Sequence, residues 1–237
     1  MKRITSLAII SLLLLAACKK EKIRVIDSSY KPDVNPSKFT NSTNLTNTYF
    51  PYATGKKYIL EGQSADGLER TEEQRLGTTK TILGITCIEV EFKGYLNGVL
   101  IEKAIDWYAQ DNNGNVWYFG EVVDNYNSNG TLKDHAGSWE AGVDGAQPGT
   151  IMPANPQVGM AYREEYYFNH AEDRAEVTGT GLTVMIPFGT FTNCIKTRNW
   201  TELEPDLNEN KFYAPGIGLI KEVDVKDNSE IRLIAIQ

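Results

Sequence analysis

Short runs in which apolar and polar residues alternate follow one another along most of the chain. Examples are ITCIEVEF from Ile85, NVWYFGEV from Asn115 and EIRLIAI from Glu230. Alternation with a period of two residues places the apolar side chains on one face of a strand. Clusters of Gly, Asn, Asp and Pro separate these runs, and no apolar stripe with a helical period extends over twelve residues. The pattern predicts an all-β domain built from antiparallel meanders.

A set of landmarks in the first half of the chain recurs in the same order in the second half. The matched landmarks are Pro51 with Pro156, Tyr58 with Tyr162, Cys87 with Cys194, Trp107-Tyr108-Ala109 with Phe212-Tyr213-Ala214, and Glu121 with Glu222. We interpret them as two copies of one meander, at residues 50–122 and 155–223, with residues 123–154 inserted between them. Chance agreement is the alternative, because glycine and apolar matches are common in an all-β chain. Two meanders that join at their edges predict a curved antiparallel sheet, barrel-like or clam-like, without exposed edge strands.

The chain begins with MKRITSLAIISLLLLAAC, a basic start followed by a short apolar run. The apolar run, residues 7–15, is shorter than the roughly 20 residues that a membrane-spanning helix needs. Two small residues, Ala16 and Ala17, follow it. This order of basic, apolar and small residues is typical of a secretory signal peptide and predicts that residues 1–17 are removed.

The segment Leu15-Ala16-Ala17-Cys18 resembles the bacterial lipobox closely. The resemblance implies that the thiol of Cys18 is diacylated and its new amino group acylated, so that the membrane is a partner through these acyl chains. By resemblance to sorting rules, Lys19 is not the aspartate that retains lipoproteins in the inner membrane, which implies the outer membrane. Whether the domain faces the periplasm or the outside stays open, as does the oligomeric state. An ordinary secreted protein with an accidental cysteine is the alternative.

Residues 18–48 are rich in Ser, Thr, Asn, Lys and Pro, with isolated apolar residues between them. A segment of this composition buries too little apolar surface to offset the entropy lost when its backbone becomes ordered. It is therefore predicted to be a flexible tether, with an edge strand at residues 23–26 as the alternative. Residues 49–237 are predicted to form a single β-rich domain.

The charge of the chain excludes some classes of partner. The full sequence has 24 basic and 31 acidic residues, a net charge of −7, and removing the two basic residues of segment 1–17 makes it −9. An acidic surface repels nucleic acid, so no nucleic-acid partner is expected. The two histidines, His135 and His170, have no metal-ligand spacing, and no phosphate-binding or dinucleotide-binding motif is present, so no metal or cofactor is expected.

The stretch IDWYAQDNNGNVWYFGE, residues 105–121, is rich in aromatic residues around a turn. With the turn at residues 111–114, Tyr108 lies opposite Trp117 on one face and Trp107 lies opposite Tyr118 on the other. One interpretation is a hairpin whose rings fill a core, and the other is an aromatic shelf that contacts a ligand. A calcium loop is excluded, because the spacing puts valine where the EF-hand motif requires glycine and glutamate.

The predicted insertion contains the glycine- and proline-rich stretch GSWEAGVDGAQPGTIMPANP, residues 137–156. Long irregular loops on a β scaffold commonly bind ligands. Trp139, Glu140 and Asp144 are therefore candidate ligand-binding residues, together with the four aromatic residues of the hairpin. The alternative is a loop folded over one end of the sheet, with Trp139 as its plug.

Recognisable catalytic motifs are scarce. No Gly-x-Ser-x-Gly elbow occurs, so the sequence does not support a hydrolase of that kind. The adjacent acids Glu164 and Glu165 point to opposite faces of a strand, so they contribute at most one carboxylate to a site, and such acids more often line a solvated hairpin. Cys87 and Cys194 are expected to be unpaired, because equivalent positions in two repeats indicate two separate core sites.

Several blocks, among them DWYAQDNNGNVWYFGE, GSWEAGVDGAQPGTIMPANP and FYAPGIGLIKE, resemble an uncharacterised family of bacterial secreted proteins and lipoproteins. The resemblance covers most of residues 49–223 and implies a β-rich extracytoplasmic domain without an assigned activity. Two functions remain open. One is a non-enzymatic, envelope-associated module that binds an apolar or glycan ligand. The other is an enzyme acting on envelope glycans through isolated carboxylates such as Glu140, Asp144 or Glu165.

Overall fold

The computed structural model describes residues 24–237, so the predicted signal peptide and Cys18 lie outside the described residues. Residues 31–237 form one compact unit. This unit contains strands and a single turn of 3-10 helix, Pro36–Lys38, but no α-helix, which confirms the predicted all-β class. Between residues 24 and 237 no helix has the length and apolar content needed to cross a membrane.

The strands build one antiparallel sheet. In chain order they are β1 (Lys57–Gln63), β2 (Leu68–Ile82), β3 (Ile85–Leu96), β4 (Val99–Gln110), β5 (Val116–Tyr126), β6 (Leu132–Asp134), β7 (Trp139–Glu140), β8 (Gln147–Met152), β9 (Ala161–Arg163), β10 (Glu165–Tyr166), β11 (Arg174–Ile186), β12 (Gly189–Trp200), β13 (Asn208–Ala214), β14 (Gly218–Asp224) and β15 (Glu230–Ile236). Their order in the sheet is β10-β8-β5-β4-β3-β2-β1-β15-β14-β13-β12-β11-β9. The short strands β6 and β7 also pair with β5, outside this path.

Each half of the sheet contains five strands that pair consecutively. In the first meander each strand from β1 to β5 pairs with the next one. In the second meander the strands that pair one after another are β9, β11, β12, β13 and β14. Matched residues lie on equivalent strands: Tyr58 and Tyr162 on the first strand of each meander, and Cys87 and Cys194 on the third. Both cysteines are buried and free, as expected for equivalent core positions.

Tight turns connect the long strands of the first meander. Leu83 and Gly84 have φ values of 51° and 77°, and Asn97 and Gly98 have values of 51° and 79°. Two successive residues in the left-handed region are characteristic of the type I′ turn, whose twist matches that of the strands it joins. The turn equivalent to Leu83-Gly84 in the second meander is Pro187-Phe188, which also has two residues.

The two meanders are joined at two places. At the first, β15 lies between β1 and β14. At the second, β9 pairs with β11 while β10 pairs with β8, so one segment, residues 161–166, contacts both outer edges. A Cβ atom on Gly149 of β8 would overlap the backbone of Glu164 in this segment, so the close approach requires glycine. The sheet is curved and open, because β9 and β10 end the order without pairing with each other.

One face of both meanders packs into a common core. Tyr58 and Val90 of the first meander belong to the same buried cluster as Ile195 and Tyr213 of the second. We call the face that carries these residues the inner face of the sheet. Full burial of a side chain such as Leu60, which is also in this cluster, contributes roughly 1.5–3 kcal/mol to folding. A second buried cluster covers part of the opposite face around Trp107 and Phe119.

Residues 36–48 contact the sheet, which differs from the flexible tether predicted for residues 18–48. Phe39 is buried, and its ring makes an edge contact with Phe119 at a centroid distance of 5.9 Å. The hydroxyl group of Ser42 donates a 2.6 Å hydrogen bond to the backbone of β3. Composition misled the prediction here, because a few isolated apolar residues each contact the sheet while side chains of the sheet satisfy the polar backbone.

Candidate functional site

The aromatic hairpin is formed by β4 and β5, in a register that differs from the predicted one. The predicted pairs are not formed, because Tyr108 lies opposite Tyr118. The loop is one residue longer than assumed, since the backbone N–H of Asp111 donates to the carbonyl oxygen four residues later. One extra residue shifts every cross-strand pair, so Trp107 and Trp117 do not face the partners expected for them.

Most rings of this hairpin are buried among one another. Trp107, Tyr118 and Trp139 keep 6%, 7% and 5% of their surface exposed. Tyr118 contacts Trp139 edge-on at a centroid distance of 5.3 Å and stacks on Tyr108 at 4.9 Å. Trp117, which is half-buried, contacts Phe39 edge-on at 6.3 Å. Rings packed in this way offer little surface to a ligand that approaches from outside.

The acidic candidates of the predicted insertion do not lie together. The insertion contains β6, β7 and β8, all paired with β5, instead of an irregular loop. Glu140 on β7 forms an ion pair with Lys80 at 2.7 Å. Asp144 is exposed in a turn, with a φ of 50°. The third candidate residue of the insertion, Trp139, packs among the buried rings, where it contacts Tyr118.

The Asp and Asn residues of the hairpin loop stabilise the turn. The carboxylate of Asp111 accepts hydrogen bonds from the backbone N–H groups of Asn113 and Asn115, both at 2.9 Å, and from the indole N–H of Trp117 at 3.0 Å. These donors occupy the carboxylate oxygens that a metal ion would need. In the part of the chain that the structure describes, no group of three or more His, Cys, Asp or Glu side chains is placed to hold a metal ion.

A cluster of ionisable side chains lies on the inner face, next to the apolar core. Side chains two residues apart on a strand share a face, so Asp106 lies on the same face as Tyr108, and Lys211 on the same face as Tyr213. We define the inner polar cluster as Glu73 on β2, Asp106 on β4, Glu121 on β5, Glu164 between β9 and β10, Lys211 on β13, and Glu222 on β14.

Side chains of the two meanders approach each other in the inner polar cluster. Lys211 forms ion pairs with Glu222 at 3.3 Å and with Glu209 at 3.4 Å, all within the second meander. Glu73 belongs to the first meander. The pKa of Glu73 is raised to about 7, mainly by desolvation; the charge of Asp106 contributes to this rise and the charge of Lys211 opposes it. The charges of both meanders therefore act on one another across the inner face.

Two side chains of the inner polar cluster are desolvated and are nevertheless reached by solvent. Burial is the largest cause of the raised pKa of Glu222, so protein surrounds this carboxyl group. Its side chain nevertheless keeps 22% of its surface accessible, and the side chain of Lys211 keeps 27%. The cluster therefore borders a space that water can enter.

Several carboxyl groups near this space have raised pKa values. Burial raises the pKa of Glu164 to about 7, and it raises the pKa of Asp106 to about 7 although the hydroxyl group of Tyr118 donates a 2.6 Å hydrogen bond to it. Burial also raises the pKa of Glu121 and of Glu165 well above the usual value, and neighbouring carboxylates raise both further. At neutral pH, a fraction of each of these carboxyl groups is therefore protonated in the folded protein.

Strand pairing places the two meanders' ionisable residues in equivalent positions. In the first meander Asp106 lies opposite Glu121 on neighbouring strands. In the second, the equivalent residues are Lys211 and Glu222, which also lie opposite each other. The second meander thus has an oppositely charged pair where the first has two acids. Like charges directly opposite each other are destabilising, so the pair in the first meander is electrostatically unfavourable when both groups are ionised.

Glu164 and Glu165 do not line a solvated hairpin, which differs from the prediction for these adjacent acids. Each keeps 7% of its surface exposed. Both oxygens of the Glu164 carboxylate accept 2.9 Å hydrogen bonds from the side-chain amide of Asn199. The two acids lie where the chain changes from pairing with β11 to pairing with β8, so neither side of this segment faces open solvent.

A cleft of about 380 Å³ adjoins the inner polar cluster. Glu222, a member of the cluster, lines the cleft, and so does Glu209, the other ion-pair partner of Lys211. The other carboxylates in the cleft walls are Glu69, Asp224 and Glu230. An approach lined by carboxylates raises the local concentration of cations and lowers that of anions.

Sequence reasoning missed the inner polar cluster. It placed the candidate ligand-binding residues in the hairpin and in the insertion, and it did not examine isolated charges inside apolar strands. Two signals were present: Asp106 interrupts an apolar strand, and Lys211 stands at the equivalent position of the second copy. A charged residue at an inner-face position of both copies indicates a shared polar site.

Comparisons with known proteins leave the family open. No family model matches the chain, and no curated protein matches it. One similar solved structure is a crystal structure of a protein described as a "putative lipoprotein" from Parabacteroides distasonis. The alignment covers 81% of this chain and 99% of that one, with 14% sequence identity and a TM-score of 0.43. A similarity of this size supports no inference about the function of this chain.

Proposed function

We propose that this protein is a lipoprotein of the outer membrane, anchored by acyl chains on Cys18, whose β domain binds a polar ligand without transforming it. The ligand occupies the space bordered by the inner polar cluster. Secretion and lipidation follow from the lipobox resemblance of residues 15–18 and the signal-peptide pattern before it.

One observation carries the binding function. The side chains of Lys211 and Glu222 are surrounded by protein and yet keep about a quarter and a fifth of their surface accessible, at 27% and 22%. A fold that needed only stability would place apolar side chains at such positions, because buried charges are costly and rarely gain stability. A few polar groups that converge beside apolar side chains are the usual composition of a small-molecule site.

The residues around this space favour a hydroxyl-rich ligand such as a glycan over an apolar one. Carboxyl groups accept hydrogen bonds from sugar hydroxyl groups, and a protonated carboxyl group also donates one. Among residues 24–237, the buried hydroxyl group of Tyr162, which lies close to Glu164 and Lys211, has no hydrogen-bond partner. A ligand hydroxyl would satisfy it.

The test is a binding measurement with a panel of soluble glycans, read by intrinsic tryptophan fluorescence and calorimetry. Tyr162→Phe removes a hydroxyl group that makes no hydrogen bond within the protein, so its thermal stability should equal that of the wild type. Loss of one ligand hydrogen bond should weaken binding by about 3- to 10-fold. Tyr49→Phe, which removes a hydroxyl group bonded to the backbone of Asn193, is the matched control and should bind as the wild type does. Absence of binding by every glycan would contradict the proposal.

The lipid anchor is tested by Cys18→Ser in the full chain. The wild-type protein should sediment with membranes and partition into detergent, because several acyl chains give a stable attachment. Cys18→Ser should move the protein to the soluble fraction, whereas Cys87→Ser, which changes a buried thiol, should leave it with the membranes. Membrane association that survives Cys18→Ser would refute the anchor.

A second candidate is an enzyme that acts on envelope glycans. The observation that favours it is the raised pKa of Glu165, which lies near Glu121, since a general acid needs a carboxyl group protonated at neutral pH. Product analysis after incubation with a bound glycan separates the two functions. Release of a shorter glycan that Glu165→Gln abolishes would establish the enzyme, and an unchanged glycan would support the binding module.

A further inference from the structure

The two ends of the sheet differ in charge. Because neighbouring strands are antiparallel, four connections between long strands lie at one end of the sheet: residues 83–84, 111–115, 187–188 and 215–217. Asp111 is the only charged residue in them, and it is buried, with its carboxylate engaged by hydrogen bonds within the loop. We call this end of the sheet the uncharged end. At the opposite end five acids and one lysine occur in three connections: residues 64–67, 201–207 and 225–229.

Large apolar side chains are exposed at the uncharged end. Met185 keeps 78% of its surface exposed, Leu83 keeps 46% and Phe188 keeps 42%. Residues 177–195, which contain Met185 and Phe188, include no Asp, Glu, Lys or Arg, although 23% of the residues in the chain are charged. Apolar side chains such as Leu132 are also exposed at the opposite end, but there the neighbouring connections carry charges. An exposed apolar surface without charges is suited to contact with another apolar phase, because burying a charge is costly.

The turn at Leu83 is not built for stability alone. Leu83 has a φ of 51° at the first central position of its turn, where asparagine is preferred and a bulky side chain is strained. The corresponding position in the next turn of the same kind is Asn97, also with a φ of 51°. Among residues 24–237, Leu83 belongs to neither buried apolar cluster, so packing in the core does not offset the strain. An exposed leucine held in a strained turn indicates a functional contact.

The chain that leads from Cys18 reaches the sheet at the uncharged end. The carbonyl oxygen of Lys38 accepts a 2.7 Å hydrogen bond from Asn112, and that of Thr48 accepts a 2.8 Å hydrogen bond from Gly216. Both donors belong to connections at this end, so residues 36–48 cross it. The stretch from Cys18 to Pro36 spans at most about 65 Å when fully extended. The opposite end of the sheet is farther along by the length of the strands, about 40 Å for a strand such as β3.

We propose that the uncharged end contacts the lipid bilayer that holds the acyl chains of Cys18, with Leu83, Met185 and Phe188 inserted at the boundary between headgroups and acyl chains. This inference rests on the proposed lipid anchor and gives the anchored domain an orientation. Attachment through residues 36–48 holds the uncharged end nearest to the membrane. The acids of the opposite end are repelled by anionic headgroups, which favours the same orientation.

The experiment attaches an environment-sensitive fluorophore to Met185→Cys in the full lipidated chain, reconstituted in vesicles of phosphatidylethanolamine and phosphatidylglycerol. Cys87 and Cys194 are buried, so the introduced thiol is the one that reacts. Lipids with a nitroxide on the acyl chain should lower the emission of this label at least about 2-fold, because interfacial side chains reach roughly 5–10 Å into the boundary. Leu132→Cys, an exposed apolar position at the opposite end, is the matched control and should not be quenched.

Two variants test the contact residues in the Met185→Cys background. Phe188→Asp introduces a charge at the contact, so it should abolish the quenching while the protein still sediments with the vesicles. Leu83→Asn replaces a strained residue by one that fits the turn, so the melting temperature should equal or exceed that of the parent protein. The same substitution should nevertheless weaken the quenching, which a purely structural role of Leu83 would not produce. Quenching that neither variant changes would overturn the inference.

The remaining outcomes separate this inference from the anchor. An unquenched label at position 185, in a protein that sediments with the vesicles, would overturn the membrane contact and retain the anchor. A wild-type chain that does not associate with the vesicles would refute the anchor and the contact together. Shielding of the label in detergent that increases with protein concentration would identify a second copy of the chain as the occupant, and would also overturn the contact.

Discussion

Lowering the pH from 8 to 5.5 is expected to stabilise this protein, by on the order of 2–4 kcal/mol in the free energy of unfolding. Most proteins show the opposite trend or a flat one across this range. The reason is the inner polar cluster, where burial raises the pKa of Asp106 and of Glu164 to about 7. Both groups keep less than a tenth of their surface exposed, so solvent screens them little.

The sign follows from proton binding. Between the unfolded carboxyl pKa, near 4, and the folded value of about 7, the folded state holds more protons than the unfolded state. Stability is therefore greatest near the lower end of this window and declines as the pH rises through the upper end. Glu72 and Glu91 have lowered pKa values, because the hydrogen bonds and charges of Lys and Arg partners together outweigh their desolvation, so they titrate below the window.

Urea unfolding at pH 5.5, 7 and 8 measures the effect. Asp106→Asn removes one of the buried carboxyl groups that lose a proton between pH 5.5 and 8. It should therefore raise stability at pH 8 and flatten the pH dependence. Asp144→Asn, in an exposed turn, should leave the whole profile unchanged. A wild-type stability that rises steadily from pH 5.5 to pH 8 would contradict the placement of these carboxyl groups.

Gly62→Ala is expected to cost on the order of 2–4 kcal/mol of stability, an effect of the size seen for overpacked core sites. Gly62 lies on β1 at the junction with β15, where the first and second meanders meet. A Cβ atom at this position would overlap the carbonyl oxygen of Glu230 on β15, and this is backbone that cannot rotate away. The strands would have to separate where the sheet depends on their contact.

The matched control for this substitution is Gly77→Ala. Gly77 is also in a strand of the first meander, and a Cβ atom there would have no neighbour within 4 Å. Alanine loses less conformational entropy than glycine on folding, so Gly77→Ala should be neutral or should stabilise the protein by about 0.5–1 kcal/mol. Thermal unfolding of both variants gives the comparison, and equal effects would argue against a close junction between β1 and β15.

Local patterns predicted the architecture well. Alternating apolar and polar residues in strands such as β3 predicted the all-β class, because the period of two is a property of each strand by itself. The duplication was visible because Trp107-Tyr108-Ala109 and Phe212-Tyr213-Ala214 keep their order relative to the two cysteines. The structure adds what the pattern could not supply, namely that β15 and the segment 161–166 join the two copies.

Other features depended on contacts between distant parts of the chain. Phe39 lies in a segment whose composition is that of a tether, and its burial depends on a surface formed by β4 and β5. The register of the aromatic hairpin depended on one residue in the loop after Asp111, which pattern alone does not determine. Each of these errors arose where a non-local contact outweighs a local preference.

The candidate site was the least predictable part. Acids such as Glu73 and Glu164 look like solvated residues in the sequence, because nothing local indicates that the sheet curves and places them inside. Only the equivalence of Asp106 and Lys211 in the two copies carried information about this site. Ionisable residues at equivalent inner-face positions are therefore worth examining whenever a β-rich chain contains a duplication.

The central claim is that the inner polar cluster contains desolvated carboxyl groups that still hold protons near neutral pH. A carbon-detected NMR titration of all Asp and Glu side-chain carboxyl groups, with Asp106→Asn used for assignment, measures this directly. At least three carboxyl groups, those of Glu73, Asp106 and Glu164, should titrate near pH 7 in the protein without ligand. A titration in which every carboxyl group is already ionised at pH 5.5 would contradict the account.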